Sequence, residues 1–79
     1  MKAYQSSDVV EYSLVLKDPE SIQRTVSQLE RYNLRFRVHE DFHRRTATII
    51  MFAPKRGLAR FLSRHGRLLK ALGFPTFQD

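Results

Sequence analysis

Seventy-nine residues hold one domain around one modest core, near the lower limit of what folds unaided, and exclude a catalytic cleft between domains. At 42% hydrophobic and 28% charged residues the composition excludes wholesale disorder, and the absence of cysteine excludes disulfides, thiolate catalysis and cysteine-ligated zinc. Fourteen Lys and Arg against eight Asp and Glu leave a formal charge of +6, which favours an anionic partner: nucleic acid, an acidic protein or an anionic membrane surface.

The first residues, MKAYQSSDVVEY, contain no apolar targeting core, and the longest apolar stretch, Ala47 to Ala53, is too short to span a bilayer. The expectation is a cytoplasmic protein with no membrane span. Residues 1–8 and 74–79 are expected to be loosely packed ends of a single 1–79 domain.

Val10, Tyr12, Leu14 and Leu16 alternate with Glu11, Ser13, Val15 and Lys17, the period of a half-buried strand. Asp18-Pro19-Glu20 then starts a helix. Asp18 can cap free N–H groups, Pro19 suits the first helical position, and Glu20 suits the positive end of the helix dipole. Ile22, Val26 and Leu29 carry its apolar stripe to Arg31 or Tyr32, where Asn33 supplies a left-handed cap.

Alternation returns in Leu34 to His39, with Leu34, Phe36 and Val38 on one side. A polar turn over Asp41–Arg45 follows. Thr46 to Ala53 is β-branched and apolar on both faces, as a central strand must be, and Pro54 stops it.

The last helical segment, within Ala53–Gly73, places Leu58, Phe61, Leu62, His65, Leu68, Leu69 and Leu72 on one stripe. At about 100° per residue, Arg56, Arg60, Arg64 and Arg67 converge on the opposite side within about 80°. Gly73 and Pro75 end this helix. Phe74 and Phe77 remain in a short tail that packs back or forms a stub strand.

The order strand–helix–strand–strand–helix, with a short terminal strand as an option, predicts a small α+β fold: a split βαβ, ferredoxin-like sandwich with both helices on one face of an antiparallel sheet. The third strand lies in the middle. This scaffold hosts many functions, so function must come from sites.

His39-Glu40-Asp41-Phe42-His43 spells H-E-x-x-H, but zinc chemistry needs one helical turn between the histidines. Here the string crosses from a strand into a turn, and Arg44 and Arg45 repel a dication. No metal, no cofactor and no enzymatic activity is expected.

The expected function is a small binding or regulatory module whose Arg-rich helix face contacts a polyanion, nucleic acid first, through Lys55, Arg56, Arg60, Arg64 and Arg67. Lys55 and Arg56, at the start of the basic segment, are positioned to meet a phosphate there. Arg35 and Arg37 alternate outward from the second strand, where an arginine-bearing sheet face can clamp nucleic acid. The alternative is a protein-interaction module that binds an acidic protein surface, or a homodimer through the open sheet face. Membrane docking ranks lower because it would pull the leucine stripe out of the core.

Overall fold

A computed structural model describes residues 8–75 of the chain. Strand β1 (Val9–Leu16), helix α1 (Pro19–Arg31), strand β2 (Arg35–Asp41), strand β3 (Thr46–Pro54) and helix α2 (Leu58–Leu72) follow in that order. The three strands form one antiparallel sheet in the order β1-β3-β2, so the protein is α+β and its most apolar strand is central. A terminal strand through Phe77 would lie outside the described residues.

Helix α1 begins as its residues dictate. The Asp18 carboxylate accepts hydrogen bonds from the Ser21 N–H at 3.2 Å and the Ser21 hydroxyl at 3.1 Å, and Pro19 opens the helix. Such a cap contributes about 1 kcal/mol.

Both helices end in one motif. After α1, Asn33 takes a left-handed φ of 57°, and the Leu34 N–H bonds back to the Leu29 carbonyl at 2.9 Å. After α2, Gly73 takes φ 108°, and the Phe74 N–H bonds back to the Leu69 carbonyl at 2.9 Å. Each reversal satisfies an orphan carbonyl and folds an apolar residue under the helix end. Leu29 and Leu69 are fully buried, and Leu34 and Phe74 nearly so. Phe74, expected in a tail that packs back or forms a stub strand, packs back into the core at 2% exposure, so the chain is firmly packed at this position.

Two boundaries differ from expectation. Leu34 precedes β2 because its N–H serves the α1 terminus, and β2 runs on to Asp41. Helix α2 starts at Leu58, after Gly57 in a left-handed conformation, so Arg56 precedes the helix and is not part of its outer face.

Lys55 donates its N–H to the Asp8 carbonyl at 3.0 Å, one step beyond the Val9–Pro54 pair. Antiparallel ladders alternate, so this bond sets the phase: even β1 residues turn their main-chain groups to β3, and Val9, Glu11, Ser13 and Val15 turn theirs outward. On β3 the even positions face β2. The N–H that Pro54 lacks would point beyond Arg35, where β2 begins, and costs no ladder bond.

Side chains follow the same register. Tyr12, Met51 and Phe36 form one row beneath the helices, and Leu14, Ile49 and Val38 the next. Ile49 and Met51 are fully buried there with Leu29 and Leu69. Glu11–Phe52–Arg35 and Ser13–Ile50–Arg37 form rows on the opposite face, which neither helix covers.

Candidate nucleic-acid interface

Helix α2 packs on the sheet through the stripe its sequence marks. Leu69 is fully buried, and Leu58, Phe61, Leu62, Leu68 and Leu72 pack half-buried against the core. Turning those residues inward turns Arg60, Arg64 and Arg67 outward, and all three are exposed. At 1.5 Å per residue the three guanidiniums span about 10 Å of helix surface. Among the described residues the ion pair formed is Arg44 to Asp41, 3.9 Å apart on the β2–β3 turn. The α2 arginines are thus held by no carboxylate of the described fold.

The seven cations singled out from the sequence do not form one surface. Arg60, Arg64 and Arg67 share the outer face of α2, and Lys55 and Arg56 sit exposed in the turn before it. Arg35 and Arg37 project from β2 onto the uncovered sheet face, on the other side of the sandwich. His39 joins them opposite Thr48.

Comparison with known proteins finds no matching family model, no matching curated protein and no matching solved structure.

The start of α2 carries no side-chain cap, because Gly57 has no side chain to offer, and its first turn contains no acid. Three cations near these N–H groups oppose the helix dipole, a cost of a few tenths of a kcal/mol each (roughly 0.3–1) at exposed positions. The H-E-x-x-H string straddles the end of β2 and the following turn. Asp41 within it accepts hydrogen bonds from the His43 and Arg44 N–H groups at 3.1 and 3.3 Å, so this carboxylate serves as a turn staple. A shallow groove of ≈ 600 Å³ between the start of α1 and this turn is lined by none of the seven cations. No described helix is long and apolar enough to cross a membrane.

One signal in the sequence outweighs the helical projection. Residues 42–78 contain eight Lys and Arg and no Asp or Glu, so the charge excess belongs to the β3–α2 half of the chain. The first 41 residues hold seven of the eight acids.

His65 is half-buried on the α2 stripe, with the Phe61 ring 4.8 Å and the Tyr32 ring 6.4 Å away between centroids. Desolvation, and secondarily the neighbouring Arg64 guanidinium, hold its pKa below the ordinary 6.5. The unfolded chain binds this proton more readily. Stability is therefore unaffected above the ordinary value and declines as pH falls through it towards the lower folded one. We expect urea midpoints of the wild type to fall over this window more steeply than those of His65→Phe, which keeps the aromatic packing without the titration. Parallel pH profiles would refute this assignment.

Proposed function

We propose that this protein is a small non-enzymatic binding module that docks on the phosphate backbone of nucleic acid through the outer face of α2, on a split βαβ scaffold of the ferredoxin-like kind. The observation that carries the reading is the exposed Arg60–Arg64–Arg67 row, free of carboxylate partners among the described residues, on a chain half devoid of acids up to position 78. Guanidiniums bind phosphate oxygens by forked, charge-assisted hydrogen bonds. Lys55 and Arg56 extend the positive field towards the helix start. Contacts of this kind supply affinity and orientation without reading sequence.

A duplex advances 3.4 Å per phosphate along each strand, so a 10 Å row meets about three phosphates. Neutralising three gives a log-log salt slope of about −2.7, which is about a 40-fold loss of affinity from 50 to 200 mM salt. Fluorescence anisotropy of a labelled duplex of arbitrary sequence across that range tests this directly. Absence of binding at the lowest salt, with capture of an acidic protein instead, would replace nucleic acid by a protein partner.

A further inference from the structure

We propose that β1 pairs, antiparallel and about a two-fold axis at Ser13, with β1 of a second copy of this chain, joining two sheets into one. This inference rests on the sheet edge and stands apart from the nucleic-acid reading.

The two edges of the sheet are built differently. β2 alternates Arg35, Arg37, His39 and Asp41 along its length, the charged decoration that keeps an edge solitary. β1 runs eight residues from Val9 to Leu16 without Lys, Arg, Pro or Gly, and its register against β3 never slips, so no bulge twists it away. Long, unbulged, largely apolar edges of this kind recruit another strand. Among the described residues nothing pairs with the outer side of β1, and Val15, at its end, is 60% exposed on the uncovered sheet face.

The phase of the ladder and the charges along β1 together select the partner register. The outward main-chain groups belong to Val9, Glu11, Ser13 and Val15, so odd residues must meet odd residues. Centring on Ser13 sets Glu11 opposite the partner's Val15, and the two exchange both N–H···O bonds, as Ser13 does with its own image. Glu11 then lies diagonal to the partner's Lys17, within reach of an opposite-charge contact. Centring on Glu11 would oppose two carboxylates. Centring on Val15 would set Glu11 against the partner's Pro19, which has no N–H to give. Centres on Tyr12 and Leu14 also pair odd with odd, but the first sets Glu11 diagonal to the partner's own Glu11, and the second sets Val9 against the partner's Pro19 and pairs only residues 12–16 of the strand. The Ser13 register is self-complementary, as an isologous contact requires.

The covered side benefits too. Tyr12, Leu14 and Leu16 are only half-buried at this edge. Pairing places Tyr12 beside the partner's Leu14 and Leu16 beside the partner's Val10, which carries the core across the seam. A two-fold axis perpendicular to the sheet leaves both α2 helices on one side of the joined sheet.

Sedimentation of the full chain from micromolar to millimolar concentration tests the pairing, together with amide exchange of Glu11, Ser13 and Val15. The expected result is a dimer whose protection at those three amides rises with the dimer fraction. Ser13→Lys opposes two ammoniums on the axis and should weaken dimerisation by about 100-fold or more. Ser13→Glu should do the same alone, and an equimolar mixture of the two variants should restore the dimer. A wild type that stays monomeric at millimolar concentration overturns the proposal. So does protection of those amides in a monomer, which would mean that another segment of the same chain covers the edge. A mixture that fails to pair overturns the Ser13 axis.

Discussion

Leu69→Ala should destabilise the protein by roughly 2–5 kcal/mol. Leu69 is fully buried and lies in the cluster with Leu29, Ile49, Met51 and Phe74, so its truncation opens a cavity where α2 meets the sheet. A domain of this size holds about 5–15 kcal/mol in total. A loss near 3 kcal/mol therefore removes a large fraction of it, and the thermal midpoint falls by about 4–8 °C per kcal/mol. The main-chain carbonyl at position 69 still accepts the Gly73 and Phe74 N–H groups, so the helix end survives and the deficit reports packing alone. Leu62→Ala, at a half-buried position on the same stripe, should cost less. Equal losses at both positions, measured by urea titration, would contradict the packing described above.

Much of this organisation is legible in the chain itself. Alternation marks β1, two-sided hydrophobicity marks β3 as central, and Asp18-Pro19 marks the start of α1, because each pattern follows from local geometry. Asn33 and Gly73 announce the left-handed reversals that close both helices. The start of α2 is less legible. Arg56 falls at the right helical angle, yet Gly57 takes a left-handed turn that periodicity does not encode. Leu34 fits the strand alternation but is spent on the α1 terminus, a long-range consequence of where Leu29 is buried.

The division of the cations is legible only with the fold in hand. Arg35 and Arg37 resemble Arg60 and Arg64 in sequence, and the sandwich puts them on opposite sides. The β1 edge is legible in part. Placing the third strand in the middle already makes β1 an edge unless a terminal strand covers it; among the described residues that side is free, and only the Asp8–Lys55 bond shows which amides point there.

Replacing Arg60, Arg64 and Arg67 together by glutamine should abolish binding to duplex nucleic acid without unfolding the protein. All three side chains are exposed and make no ion pair among the described residues, so stability should shift by no more than about 0.5 kcal/mol for each. Binding should respond far more. With a slope of about −2.7, counterion release from three phosphates contributes about 10³-fold in affinity at 50 mM salt relative to 1 M. The triple variant forfeits that factor and its salt slope together. The wild-type slope also separates two assemblies. One stripe on one duplex gives about −2.7, and a β1-paired dimer laying both stripes on the same duplex gives about −5.4. In that case Ser13→Lys should halve the slope while leaving each stripe intact, whereas the arginine variant should flatten it and leave the dimer in place. Were the arginine variant to unfold instead, the guanidiniums would be holding the fold, and the outer face of α2 would no longer be a docking surface.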